Sequence, residues 1–486
     1  MSFISRTVFI YTLGTLYLGV NGLFTNVLSV LSLSELGIGI AITFSLYKPL
    51  ADNDLEKIKA LMKFYKNAYK IIALVVFVIG MLILPFLGIL IKGGEGISHI
   101  NFIYCVFLFN TTISYLFTYK RTLLIANQQE YRIRYIMMII NFIKITVQII
   151  ILLTSKNYYF FIITESIFII VLNIFINRYI DKKYPYINDS SCRDLDKQEK
   201  YIIIKNIKAM MFHKIGELAV NQTDNIIISS FISVSLVGIV SNYVLIITAI
   251  NVIIINFFKS ATASIGHLIA TENEESRLRV FNVYNFMAFY LFGFATVCLI
   301  NLLNPFIILW IGKAMIINWN AFILIIINFY LVGMRIPVGQ TKTAAGIYNQ
   351  DKYVPLVQAF VNLLVSVIAV QYWGLTGVFF GTLLCQLVLP VWYKPIILYR
   401  YAFKASPFPY FIKYFQYALV TTLNILITYL LIHIILDDNN TWFKLFSSAL
   451  ICFIVTNITI ILFFNKSIEF KFVIALLKQF YRKVIK

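Results

Sequence analysis

"SELGIGIAITFSLYKPLADND", residues 34–54, carries a carboxylate, Glu35, near one end of a small, apolar run and a lysine, Lys48, near the other. If "SELG" is a loop between two membrane helices, Glu35 is a surface acid. If one helix runs through it, Glu35 lies within the hydrocarbon. The rest of the chain decides between these readings.

The 486 residues are 60% hydrophobic and only 13% charged, with a mean hydropathy of +0.84. A soluble domain lacks the polar surface to cover so much apolar material. Several runs exceed the roughly 18 to 20 residues needed to cross a hydrocarbon core of about 30 Å. The pattern is of long runs rather than alternating ten-residue segments, which argues for helices and against an outer-membrane barrel.

Helices are expected at about 2–15, 17–50, 68–91, 99–119, 135–154 and 158–178, then 206–231, 237–269, 283–311, 317–338, 354–372 and 375–399, with two more near 411–436 and 443–464. The net charge of +20 follows this topology. One face collects Lys57 to Lys70, Lys120 to Arg134, Arg178 to Lys214, Arg277, Arg279, Lys352, Lys404 and a tail with Lys478, Arg482, Lys483 and Lys486. The other holds Lys92, Lys156, Lys313 and Lys444. The positive-inside rule then puts both termini in the cytoplasm, and no nucleic-acid partner is needed to explain the charge. Residues 53–70 read as an amphipathic surface helix or a solvated connector.

An internal repeat links the halves. Gly19 in "LGVNG" matches Gly238 in "VGIVS", and Ala51 matches Ala270, each 219 positions on. Pro85 matches Pro305 at 220, and Lys92 matches Lys313 at 221. "KRTLLIANQQEY" (120–131) matches "KTAAGIYNQDKY" (342–353) at 222, pairing Lys120 with Lys342 and Asn127 with Asn349. A drift of three positions over more than a hundred is collinear. Six helices return the chain to its starting side, so the repeats are parallel, related about an axis along the membrane normal.

The expected fold is therefore an all-α polytopic membrane protein of about fourteen transmembrane helices, in two parallel six-helix repeats plus two C-terminal helices. Its parts are an N-terminal lobe (1–180), a cytoplasmic linker loop (181–205), a C-terminal lobe (206–400), and two extra helices with a basic tail (401–486). Position 35 plus 219 falls at Ile254, inside a long helix, so Glu35 is expected within the second helix. The turn before it is then "LGTLYLG", and the first helix is short at its N-terminal end.

The stretches "SRTVFIYTLGTLYLGVNGLF", "ELGIG…YKPLADND" and "TASIGHLIATENEE", on this repeat, resemble the polysaccharide-transporter family of oligosaccharide-lipid flippases. That family lies within the multidrug/oligosaccharidyl-lipid/polysaccharide exporter superfamily. The resemblance covers essentially the whole chain. It implies a bacterial cytoplasmic membrane protein that moves undecaprenyl-diphosphate-linked oligosaccharides from the inner to the outer leaflet by alternating access. Such units feed O-antigen, capsule or exopolysaccharide assembly, with a polysaccharide polymerase and chain-length machinery as implied partners.

Moving a diphosphate across the bilayer favours a cationic cavity, since Arg and Lys pair with phosphate oxygens in a low-dielectric setting. Arg6 sits in helix one, at a position similar to a cavity arginine of related lipid flippases; it equally suits the cytoplasmic end of that helix. Lys144 lies well inside its helix. Lys48, Lys259, Arg335 and Lys342 lie toward cytoplasmic ends, where snorkelling also accounts for them. For coupling to a proton or sodium gradient, the intramembrane candidates are Glu35, Glu217, Asn221 and Asp224, the last three on one face of helix seven; Glu165 is a further intramembrane acid. The helix-seven residues Glu217, Asn221 and Asp224 also suit a polar cavity patch, or ion pairs with Lys144 or Lys259.

No cofactor or metal is expected. The four histidines are scattered, no CxxC pair exists among the five cysteines, and no Gly-rich phosphate loop followed by Lys-Ser/Thr occurs. The leading alternative is a cation-coupled multidrug antiporter of the same superfamily. A membrane polymerase or glycosyltransferase fits less well, because the outer loops are short and no acidic loop cluster is found.

Overall fold

Breaks in the sequence, more than its apolar runs, decide where the helices end. The structure, a computed structural model, describes residues 3–31, 38–188, 194–347, 349–351, 353–436 and 441–484. The helices are α1 (Phe3–Leu31), α2 (Ile38–Ala51), α3 (Leu55–Ile83), α4 (Leu87–Leu90), α5 (Ile100–Ala126), α6 (Glu130–Ser155) and α7 (Tyr158–Lys183). They continue with α8 (Lys197–Phe231), α9 (Val234–Ser260), α10 (Thr262–Thr271), α11 (Glu274–Ile311), α12 (Trp319–Met334) and α13 (Ile336–Ala344). The last are α14 (Val354–Trp373), α15 (Leu375–Val388), α16 (Pro390–Leu398), α17 (Phe408–Ile435), α18 (Trp442–Phe464) and α19 (Ile468–Val484).

This is the expected all-α polytopic architecture. Twelve helical stretches among the described residues are long and apolar enough to cross a membrane. The difference from about fourteen has two sources. The helix read over 2–15 and the first part of the one read over 17–50 run as α1, kinked at Gly14, whose φ of 78° and ψ of −176° only glycine adopts readily. That glycine opens "LGTLYLG". The other source is α8, which carries many lysines and is not among the twelve. Residues 32–37, Glu35 among them, lie outside the described residues. α2 resumes at Ile38 and is 14 residues long, about 21 Å at 1.5 Å per residue, which is too short to cross alone.

The chain divides into two units, Met1–Gly238 and Ile239–Lys486. In the first, α3 packs on α5, α5 and α6 pack on α7, and α1 runs along α8. The close approach of α1 to the start of α9 requires glycine: a Cβ on Gly19 would sit 1.8 Å from the Val234 carbonyl oxygen, and one on Gly238 would sit 2.2 Å from that of Thr15. Thr15 and Ser235 share a 2.9 Å hydrogen bond beside it. At one end of the unit, Ile42 and Leu46 of α2, Leu61 and Tyr65 of α3, Leu124 of α5 and Ile180 of α7 form a buried apolar layer.

Of the two readings of 53–70 the helical one holds, and part of the stretch read as linker loop is helical too. Residues 55–70 are continuous with the membrane-crossing part of α3, capped by Asp54, whose carboxylate accepts from Lys57 N at 3.0 Å. α8 begins at Lys197, inside the polar stretch 181–205, because Asp196 and Glu199 form a reciprocal capping box. Lys57–Glu199 and Lys63–Asp194, each 2.9 Å, tie α3 to this start.

In the second unit, α11 is the central element, with α12, α17, α18 and α19 against it. Polar pairs cross between helices: Tyr290 to Asn457 at 3.0 Å, Asn301 to Thr428 at 3.0 Å and Gln358 to Gln386 at 3.1 Å. Small residues let α14 and α15 touch. A Cβ on Gly377 would lie 2.2 Å from the Ala369 carbonyl oxygen, and one on Gly381 would lie 2.7 Å from the Ser366 nitrogen. The outer surface is apolar, with Phe142 at 73% and Phe443 at 78% exposure, as a lipid-facing surface requires.

Candidate functional site

The polar residues of the first unit recur at helical spacing. α1 carries Asn21, Thr25 and Ser29; α5 carries Asn110, Ser114 and Thr118; α6 carries Asn141, Lys144 and Gln148. Steps of three and four residues put each trio on one helix face. The three faces, with Glu165 of α7, line one cavity of about 850 Å³. That volume falls in the range of roughly 300 to 1,000 Å³ typical of small-molecule sites.

An ion pair sits in this cavity. Lys144 Nζ donates to Glu165 Oε1 at 2.7 Å, and Gln148 Nε2 donates to Glu165 Oε2 at 2.8 Å. Both carboxylate oxygens are thus engaged, from two positions one helical turn apart on α6. Charges at membrane depth are costly unless paired, so the arrangement keeps the lining neutral while retaining a cation and an anion. Lys144 and Glu165 keep 19% and 35% side-chain exposure, so a ligand in the cavity can reach them.

The other candidates are dispersed. Arg6 is buried in α1, at 7% exposure, and is not among the residues lining the cavity. Lys48 is exposed on α2, and Lys259 is exposed in the last turn of α9, as snorkelling side chains are. Arg335 caps the break between α12 and α13; its Nε donates to the Leu331 carbonyl at 3.2 Å, while Nη1 is buried without a hydrogen-bond partner among the described residues. Lys342 is buried and ion-paired with Asp351. Its repeat counterpart Lys120 pairs likewise with Asp181.

Among the coupling candidates, Glu35 and the side chains of Glu217 and Asn221 lie outside the described residues. Asp224 is half-buried in α8. Of the ten candidates, therefore, Lys144 is the one placed in the cavity among the described residues. Glu165 is its partner, a residue the sequence marked only as an intramembrane acid. The polar trios at 21/25/29, 110/114/118 and 141/144/148 carry the signal that would have located the cavity.

The fold has known counterparts. No protein-family profile matches the sequence, and no curated protein matches it. Among solved structures, it is similar to the lipid II flippase MurJ in an inward closed conformation, at 15% identity, with 96% of this chain and 99% of that chain covered and a TM-score of 0.62. It is also similar to a multidrug resistance MATE family transporter of the MOP superfamily in an inward-facing conformation, at 14% identity, over 79% and 90% of the two chains, with a TM-score of 0.60. The bent form of the Vibrio cholerae MATE transporter VcmN matches at 15% identity over 82% and 92%, with a TM-score of 0.54. At these identities the likeness shows a shared fold.

Proposed function

We propose that this chain is a flippase that moves undecaprenyl-diphosphate-linked oligosaccharide repeat units from the inner to the outer leaflet of the bacterial cytoplasmic membrane. The observation that carries the reading is the cavity: a large pocket lined by amides, hydroxyls and one ion pair, inside a bundle whose outer face is apolar. A polar headgroup attached to a lipid needs both surfaces. The likeness to a lipid II flippase over 96% of this chain supports a lipid-linked substrate.

Both termini are assigned to the cytoplasm, and the substrate crosses by alternating access. Lys144 is assigned to the substrate, released from Glu165 as the headgroup enters. Arg6 is a second cationic contact, Lys48, Lys259, Arg335 and Lys342 serve the inner-leaflet approach, and Glu35, Glu217, Asn221 and Asp224 serve coupling to a proton or sodium gradient. The product would pass to a polysaccharide polymerase with its chain-length machinery.

A cation-coupled multidrug antiporter is the second reading, favoured by the likeness to MATE transporters. The cavity lining argues for the flippase. Its aromatic residues are Phe107, Tyr115 and Phe161, outnumbered by amide and hydroxyl side chains. Replacing both Arg6 and Lys144 with Ala in the native cells tests the assignment. Surface polysaccharide should fall sharply at normal protein level; unchanged polymer would contradict the cationic role.

A further inference from the structure

The Ser and Thr hydroxyls that line the cavity have already committed their protons. Thr25 Oγ1 donates to the Asn21 carbonyl at 2.7 Å and Ser29 Oγ to the Thr25 carbonyl at 2.7 Å. On α5, Thr111, Ser114 and Thr118 donate to the carbonyls of Phe107, Asn110 and Ser114 at 3.0, 2.7 and 2.8 Å. Each bond runs back one turn of the hydroxyl's own helix, the habitual choice of Ser and Thr in apolar helices. A hydroxyl has one proton and two lone pairs, so these five groups face the cavity as acceptors. Asn110 Oδ1 adds another: it is buried with no hydrogen-bond partner among the described residues.

Donors are fewer. The amides of Asn21, Asn110 and Asn141 supply both kinds of group. The Tyr115 phenol does the same, and Lys144 and Gln148 each direct one proton to Glu165 and keep two and one respectively, while Glu165 contributes two further acceptor oxygens. The lining is therefore rich in acceptors and neutral overall. An ionised diphosphate is itself acceptor-only and negative, a poor match for such a wall. A glycan, with a donor on every free hydroxyl, is a good one.

We infer that the cavity of the first unit is the glycan-binding subsite, recognising sugar hydroxyls through the back-bonded Ser/Thr faces of α1 and α5, and that the diphosphate is held elsewhere. The inference rests on the flippase reading and names which part of the substrate this cavity takes. Lys144 and Glu165 then act as one polar contact to the sugars, not as a phosphate clamp.

Two probes separate these possibilities. One is undecaprenyl diphosphate. The other is the water-soluble oligosaccharide released by mild acid from the lipid-linked pool of native cells lacking this chain. Binding of each is measured on the purified full-length protein and on a Thr111→Val, Ser114→Ala, Thr118→Val triple variant. The triple variant should lose about tenfold or more in oligosaccharide affinity, since each hydrogen bond contributes roughly two- to tenfold, and keep its affinity for undecaprenyl diphosphate. Ser114→Ala alone, a smaller change to the fold, should lose about threefold for the oligosaccharide only.

Unchanged oligosaccharide binding in both variants would overturn the inference while leaving the flippase reading intact. So would an equal loss for the two probes. If wild-type protein binds neither probe, the flippase reading itself fails, and the glycan subsite fails with it.

Discussion

Lys144 and Glu165 show what a single pair contributes at membrane depth. Removing one partner strands the other charge in a cavity that water reaches only in part. A fully buried pair broken this way costs about 3 to 5 kcal/mol. Here both side chains keep some exposure, so the cost is smaller. Lys144→Gln and Glu165→Gln should each destabilise the protein more than the double variant does, with a coupling of roughly 1 kcal/mol or more from thermal unfolding in detergent. Additive effects would show that the pair is not formed. Lys144 was legible from its depth in an apolar run. Its partner was not, because the rotation of α7 against α6 is set by packing around both helices and not by either sequence alone.

A second residue-scale consequence concerns pH. Lys63 holds the Asp194 carboxyl below the usual carboxylate range, by a hydrogen bond and by its charge. A depressed folded value means that the tie is fully stabilising above the ordinary carboxylate pKa of about 3.9, and is lost as the pH falls through the lower folded value. The effect is small, because Asp194 is exposed. Amide-exchange protection at the start of α8, corrected for the intrinsic pH dependence of exchange, should therefore fall on acidification in the wild type, and Lys63→Met should lessen that fall, leaving the part due to Glu199 and Asp196. The same response in both proteins would place the sensitivity elsewhere.

At the scale of elements, the helices meet where side chains are missing. Gly381→Ala would push a methyl group to 2.7 Å from the Ser366 nitrogen, backbone that cannot swing aside. Overpacking of this kind costs about 1 to 3 kcal/mol, read as a lowered Tm, whereas Gly339→Ala, with nothing within 4 Å of the new methyl, should stay close to wild type. Truncating the layer beneath α2 by Leu61→Ala should cost about 2 to 5 kcal/mol. Helix positions were largely readable from apolar runs, while their ends were not. The start of α8 was hidden because the capping box at Asp196 and Glu199 lies in a stretch so polar that composition alone reads as loop. The break at Arg335 was hidden for the opposite reason: the chain stays apolar up to Met334, and Pro337 fits the first turn of α13 without advertising a stop.

At the scale of the molecule, the internal repeat was the strongest sequence signal, and one of its matched pairs, Gly19 and Gly238, lies at a close helix crossing in the first unit. The matched lysines Lys120 and Lys342 are both ion-paired to aspartates. The proposed orientation is open to test in a cysteine-free background. Lys156→Cys should react with a membrane-impermeant maleimide in intact cells, and Lys404→Cys only after permeabilisation; both residues are exposed. The reverse pattern would invert the topology. What the sequence could not convey was which part of the substrate each polar face meets, because donor and acceptor balance depends on where each hydroxyl proton goes.

The central claim is translocation of a lipid-linked glycan, and reconstitution tests it most directly. Purified protein is placed in sealed vesicles carrying the undecaprenyl-diphosphate-linked oligosaccharide pool from native cells lacking this chain, and outer-leaflet glycan is followed with a membrane-impermeant glycosidase or lectin. Vesicles with the protein should expose the inner-leaflet pool to the reagent far faster than empty vesicles. Exposure at the rate of empty vesicles, with cation-driven export of a lipophilic dye by the same preparation, would contradict the flippase and identify an antiporter.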